Sequence, residues 1–172
     1  LVDERVVPNQ HHEVLERDEE GEVADGVAGQ HLISARLDLT TCWPIHATST
    51  GKSLLAHITD PVRQRLLHTQ LTELTPRTIT SQEAIHQELR AVRSRGYAVA
   101  REELVPDYVA VASAFRGPEG ELEGALCIGG PENRFTAERV SYLGERVKVA
   151  AEQLSILRSR ARPNRRARTI PR

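Results

Sequence analysis

His46-Ala47-Thr48-Ser49-Thr50-Gly51-Lys52-Ser53 runs without a break into Leu54-Leu55-Ala56-His57-Ile58. Small and hydroxyl residues lead through a glycine into an apolar helical run. This predicts a turn whose backbone amides converge on the N-terminus of a helix. Up to four N–H groups lack intrahelical partners there, and the terminus carries partial positive charge, so it suits an anion or a polar ligand. The plainer reading makes Ser49 or Thr50 the cap of that helix and nothing more. Gly51-Lys52-Ser53 also spells the end of a phosphate-binding loop. That motif needs a glycine five positions before Gly51, where His46 stands. No apolar strand ending in aspartate follows to hold magnesium, so nucleotide hydrolysis is excluded.

Downstream, Asp60-Pro61 offers a capping side chain and then proline at the first helical position, with Val62, Leu66 and Leu67 as the buried stripe. After a linker containing Pro76, Thr80-Ser81-Gln82-Glu83 fits a capping box with Thr80 as the cap. Ile85, Leu89 and Val92 share the buried face of the helix that follows, and Gly96 suits its left-handed end. Arg90, Arg93 and Arg95 sit where the helix dipole favours positive charge, which explains them without DNA contacts. Tyr97 to Ala100 reads as a strand. The adjacent acids Glu102-Glu103 point apart too readily to act together on one substrate atom. Val109 to Phe115, the turn Gly117-Pro118-Glu119-Gly120 and Glu121 to Gly129 make the clearest hairpin. In its second strand Leu122, Leu126 and Ile128 face helices, whereas Ala125, Cys127 and Gly129 leave room for a close helix or a ligand. Pro131 ends the strand, and Thr136 caps a last helix with Val140, Leu143, Val147, Ala151 and Leu154 as its seam.

Upstream the signals are weaker. Val6-Val7, Glu13 to Arg17 and Leu32 to Leu37 read as strands, with Asp18-Glu19-Glu20-Gly21 as a charged turn. His11-His12-Glu13 lacks a third ligand at useful spacing, so no metal site is expected, and no cofactor either. The 172 residues suit one domain with a core of Leu, Val, Ile and Ala, since aromatic residues make up 3%. No run of about 18 apolar residues suggests a membrane span. No signal-peptide pattern is present, and Cys42 and Cys127 form no CxxC, so a reduced cytoplasmic setting is expected. Residues 158–172 hold seven arginines and no acid, and read as a disordered basic tail. The body then keeps 16 basic against 24 acidic residues, a poor surface for a phosphate backbone. Strands, helices and then a hairpin between helices give an α+β pattern without βαβ alternation.

Several motifs now combine in order: His46-Ala47-Thr48 with Gly51-Lys52 and Leu54-Leu55-Ala56; Leu74-Thr75 with Thr78-Ile79; Leu89 to Tyr97; Glu102-Glu103; and Gly130-Pro131 with Arg134-Phe135-Thr136. Together, over residues 31 to 156, they resemble the C-terminal domain of the IclR family of bacterial transcription regulators. The resemblance implies a GAF-like fold, a central antiparallel sheet flanked by helices, with a small effector bound over the sheet. It places a domain at 1–157, with 1–30 poorly matched. It also implies a homodimer or a dimer of dimers, and DNA bound only through a winged helix-turn-helix, for which residues 1–30 are too few. The absence of methionine, even at position 1, fits a piece or a processed product.

Carried over from the family, the ligand-binding positions are Ser49, Thr50 and Gly51; Arg101 and Glu102; Ala114; and Cys127 and Gly129. The family often has aspartate near Ala100-Arg101, glycine at Asp107, proline at Ala114, and serine at Cys127 and Gly129. Fewer hydroxyls here turn the expectation from a short oxo-acid toward something more apolar. The effector is expected to be a small organic molecule, an aromatic or carboxylic acid. A purely structural dimerisation module is the alternative. An enzyme with Cys127 as nucleophile is disfavoured, because a strand cysteine with no basic neighbour stays a thiol.

Overall fold

The computed structural model describes residues 43–68 and 70–160, together with the backbone of Glu20–Gly21. The strand readings at 6–7, 13–17 and 32–37 lie outside the described residues, as do Cys42 and residues 161–172. Glu20–Gly21 (β1), read as a charged turn, instead pairs antiparallel with Trp43–Pro44 (β2). Its neighbours gave no alternating pattern to reveal a two-residue bridge.

Ser49–His57 (α1) starts one residue earlier than its sequence suggested. Thr48 keeps an extended backbone, and its Oγ1 accepts from Gly51 N at 3.0 Å, so Thr48 is the cap in place of Ser49 or Thr50. The 3-10 turn Ile45–Ala47 presses on this first helical turn. A Cβ at Gly51 would lie 1.9 Å from Ile45 O, which is why glycine stands there. Asp60–Leu66 (α2) is preceded by extended Thr59. Asp60 is already helical, and its carboxylate takes two bonds from Arg63, at 2.7 and 2.6 Å, in place of a backbone amide. In Gln82–Arg95 (α3) the cap is Ser81, whose Oγ accepts from Ala84 N at 3.3 Å, one residue after the expected Thr80. The helix ends as anticipated at left-handed Gly96 (φ 87°), with Ile85, Leu89 and Val92 buried.

The main sheet has the order Ala98–Arg101 (β3), Tyr108–Arg116 (β4) and Leu122–Pro131 (β5), antiparallel throughout. Ala98 pairs with Ala112, Ala100 with Ala110, Ala112 with Cys127, Ala110 with Gly129 and Ala114 with Ala125. Opposed residues share a face, so one side is a floor of alanine, glycine and one cysteine. Small side chains let α1 lie close on β4 and β5 there. Leu55, Ile85, Leu89, Val92 and Ala98 form the core of that side.

The other face presents Val99, Val109, Val111 and Leu126 to Ala137–Arg160 (α4), whose Val140, Leu143 and Val147 complete a second core. Tyr97 lies over Gly144, where a Cβ would come within 2.3 Å of the ring. Thr136 Oγ1 accepts from Arg139 N, as the sequence indicated. Ile128, expected beside Leu126 under the helix, is 39% exposed, because α4 crosses the central strand β4 and leaves edge strand β5 partly open. The helix continues through Arg158 and Arg160, three residues into the stretch read as tail, and Arg158 pairs with Glu123. The result is α+β: a three-stranded antiparallel sheet between α1 with α3 on one face and α4 on the other.

Candidate functional site

Where the N-terminus of α1 meets the small-residue floor, a hollow of about 40 Å³ remains. Ala47, Thr48, Ser49 and Thr50 form one wall. Ala100, Ala110 and Cys127 form the floor, and Trp43, Glu103, Leu104 and Tyr108 complete the rim. Thr48 consumes the Gly51 amide, and Lys52 N is the first amide bonded within the helix, to Thr48 O at 2.9 Å. Ser49 N and Thr50 N therefore stay available among the described residues. Ser49 Oγ lies 3.5 Å from Cys127 Sγ, tying the helix start to β5.

Lys52 lies beneath this wall, 1% exposed. Its Nζ donates to Glu103 Oε1 at 2.6 Å and to Val99 O at 2.5 Å, with Glu88 Oε1 at 3.6 Å. Lys52 thus ties α1 to β3 and cannot serve as a phosphate ligand. Glu103 is 7% exposed, and burial raises its carboxyl pKa despite the opposing pull of Lys52. Only Oε1 meets the lysine. Glu103 Oε2 is buried with no hydrogen-bond partner among the described residues, and so is Trp43 Nε1, another group of the rim.

The two acids of the pair are separated by backbone geometry. Glu102 adopts a left-handed conformation (φ 55°), and its carboxylate pairs with Arg77 at 2.9 Å, away from Lys52. Asp107 closes the loop in the same conformation (φ 58°), at the position where the family resemblance places glycine. Buried Thr75 and Thr78 hold this loop, donating to Glu102 O at 2.5 Å and Glu103 O at 2.7 Å. The Leu74-Thr75 and Thr78-Ile79 motif therefore serves to aim Glu103 inward.

Of the eight positions carried over from the resemblance, Ser49, Thr50 and Cys127 line the hollow. Gly51 faces Ile45. Arg101 is turned to the opposite sheet face, where it reaches Glu132 at 2.7 Å and Phe135 O at 2.9 Å. Glu102 is held by Arg77. Ala114 shares the floor but lies farther along β4, toward the hairpin turn, and Gly129 is covered by Tyr108, whose Oη sits 2.0 Å from where a Cβ would be. Tyr108, Glu103 and Trp43 were missed. The available signals were the single tryptophan immediately before the key stretch and a second acid beside Glu102.

Cys127, in the floor, is an exposed residue of β5, but the atoms packed around its sulfur push the thiol pKa up, with the Ser49 bond opposing. Burial and the neighbouring Cys127 push Tyr108 up to about 12. Both groups are neutral at physiological pH and offer hydrogen bonds, not nucleophilic chemistry. Among the described residues no three His, Cys, Asp or Glu groups converge as a metal site. A wider cleft of about 450 Å³ lies between α2 and α3, lined by Arg63, His86, Arg90 and Arg93. Arg63 is already engaged with Asp60, Leu55 O and Ile58 O, and Arg93 with Ala56 O. Arg63 and Arg93 thus tie α2 and α3 to the end of α1, a role beyond the helix-dipole explanation that the sequence offered for Arg93.

The family model for the bacterial transcriptional regulator IclR C-terminal matches residues 14–156. The chain is 33% identical over 113 residues to the HTH-type transcriptional repressor AllR of Escherichia coli (strain K12), covering 65% of this chain and 42% of that protein. It is 33% identical over 112 residues to the HTH-type transcriptional regulator BhcR of Paracoccus denitrificans, covering 64% and 40%. The chain thus spans about two fifths of the length of these curated relatives. The Thermotoga maritima IclR structure superposes with a TM-score of 0.77 at 29% identity, over 84% of this chain and 59% of that one. The inducer binding domain of the Acinetobacter PobR transcription factor, a double mutant in complex with 3-hydroxybenzoic acid, gives 0.64 at 29% identity, over 70% and 72%.

Proposed function

The chain belongs to the IclR family of bacterial transcriptional regulators, matching its C-terminal domain, and on that premise we propose that it is a small-molecule effector-binding and oligomerisation domain. The carrying observation is the hollow itself, lined by Ser49 and Thr50 at the start of a nine-residue helix, whose N–H groups have no partner among the described residues, and by a floor of small side chains. Positive partial charge and free N–H groups suit a carboxylate. The inducer held by the PobR domain, a carboxylic acid, supports that reading. The hollow of about 40 Å³ is smaller than an engineered cavity of about 150 Å³ that takes up benzene, which favours a short acid over an aromatic one. The protein acts in the cytoplasm, and no described helix is long and apolar enough to cross a membrane.

Assembly is assigned to α4. Tyr142, Val149 and Ile156 recur every seven residues on its outer side and are 64%, 47% and 51% exposed. Glu138, Glu145 and Glu152 run along one flank of this stripe, and Arg139, Arg146 and Arg160 along the other. A parallel pair of copies sets each acidic flank against its partner's basic flank. DNA is contacted by a winged helix-turn-helix other than residues 43–160. Effector binding alters DNA affinity only by favouring one quaternary state over another. The pairing stripe alone would suit a structural dimerisation module without a ligand, and a titration separates the two readings. At one hundred times its dissociation constant, an effector adds about 2.7 kcal/mol, equivalent to about 5–10 °C in melting temperature for this size. A panel of short carboxylic acids should include one that produces such a shift in the wild type and none in Ser49→Pro, which deletes an amide at the first helical position, or in Cys127→Phe, which fills the floor. No shift with any member leaves the dimerisation module.

A further inference from the structure

Glu103 has one oxygen on Lys52 and one buried oxygen with nothing to accept from among the described residues, and this asymmetry bears on what the hollow selects. Resting on the effector-site reading above, we propose that the effector is a compact hydroxy acid, its carboxylate seated at the Ser49 and Thr50 amides and its hydroxyl donated to Glu103 Oε2.

The polar groups on the rim are of opposite kinds. Ser49 N, Thr50 N and Trp43 Nε1 are donors, and each needs an acceptor. Glu103 Oε2, in a side chain 8% exposed, accepts only, and it needs a donor. A plain alkanoate answers the first set and leaves Oε2 buried and unsatisfied, a costly arrangement. An oxo acid is worse, since it brings a carbonyl oxygen toward a carboxylate oxygen. Lys52 already neutralises Glu103 through Oε1, so a cationic ligand gains little, and a neutral hydroxyl matches the site. The walls between the two polar ends are Ala47, Ala100 and Ala110, which fit a short carbon skeleton and offer no further hydrogen bonds. The remaining polar rim groups, Thr48, Cys127 and Tyr108, are neutral and do not alter this sorting.

The test uses the 172-residue chain and calorimetric titration with three-carbon and four-carbon acids in matched sets. Each set holds the hydroxy acid, the unsubstituted acid and the oxo acid of one skeleton, for example 2-hydroxypropanoate, propanoate and 2-oxopropanoate. In the wild type one hydroxy acid should bind about tenfold or more tighter than both matched partners, as a hydrogen bond to a charged group implies. Glu103→Gln keeps an oxygen for Lys52 and turns an N–H₂ group into the hollow. The preference should then pass from the hydroxy acid to the oxo acid. Hydroxy and unsubstituted acids binding equally to the wild type, with binding still removed by Cys127→Phe, would overturn the assignment of Glu103 while leaving the effector site in place. Binding that Cys127→Phe, which fills the hollow, does not touch, or that Arg90→Ala in the α2–α3 cleft removes, would instead overturn the site and this inference with it. The wild-type comparison decides the matter even if Glu103→Gln does not fold.

Discussion

Replacing Lys52 by methionine removes the one cation that meets Glu103 among the described residues, and is the most informative single perturbation of the scaffold. The lysine is 1% exposed and makes contacts of 2.6 Å to Glu103 Oε1 and 2.5 Å to Val99 O, so methionine fills its volume but breaks both. Removing one partner of a buried ion pair costs about 3–5 kcal/mol, because the remaining charge is left uncompensated. For a chain of this length that lowers the melting temperature by about 6–20 °C. The cost must also depend on pH. Burial already raises the Glu103 pKa in the folded wild type, and loss of Lys52 raises it further. A carboxyl whose pKa rises on folding binds its proton more tightly in the folded state than in the unfolded chain. Its contribution is then most favourable below the unfolded value and declines as pH climbs through the folded one. Lys52→Met should therefore lose less stability relative to wild type at pH 5 than at pH 7, in urea melts at both. The double variant Lys52→Met/Glu103→Met, which leaves no unpaired charge, should regain most of the loss. A cost below about 1 kcal/mol, or one that does not shrink on acidification, would refute the picture of a buried pair that needs both members.

Gly51→Ala places a methyl 1.9 Å from Ile45 O, where neither backbone can yield. Thermal melts should show a loss of about 3 kcal/mol, against only about 1 kcal/mol for Gly120→Ala, whose methyl meets no atom within 4 Å and whose cost is that of a left-handed backbone. In a Cys42→Ser chain, iodoacetamide should label Cys127 more slowly at pH 7 than it labels free cysteine, and the rate should climb only above the ordinary thiol range, since the pKa is raised. Fast stoichiometric labelling at pH 7 would contradict the neutral thiol. Val149→Glu at the centre of the exposed α4 stripe should convert a dimer into monomer by sedimentation, with the fold intact by circular dichroism. An unchanged mass would place the interface elsewhere.

The fold was legible wherever local chemistry repeats. Ile85, Leu89 and Val92, the turn at Gly117–Gly120 and the seam of α4 follow from periods of 3.6 and 2 that tertiary contacts reinforce. Helix starts slipped by a residue because Thr48-Ser49-Thr50 and Thr80-Ser81 each offer competing hydroxyl caps. Only the backbone angles decide which one is extended, and at Asp60 a salt bridge to Arg63 outcompetes the amide. The site was half legible. The helix terminus and the small side chains of β5 are visible in the sequence, because spacing dictates both. Arg101 and Glu102 are neighbours of the hollow in sequence but not in space. Strand alternation turns Arg101 to the α4 face, and a left-handed residue turns Glu102 toward Arg77. Glu103 reaches the hollow through a loop held by Thr75 and Thr78, residues about 25 positions away, and no local pattern encodes that.

Trp43 is the only tryptophan in the chain, so its indole N–H gives a single, well-separated proton–nitrogen resonance. The most direct measurement follows that signal, together with the Ser49 and Thr50 amides, in a ¹⁵N-labelled sample as the short acids are added. An effector site predicts that one acid moves all three resonances saturably along one binding curve, while His86 and Arg90 in the α2–α3 cleft stay still. Saturable binding that leaves Trp43, Ser49 and Thr50 unmoved, or that moves the cleft instead, would contradict it.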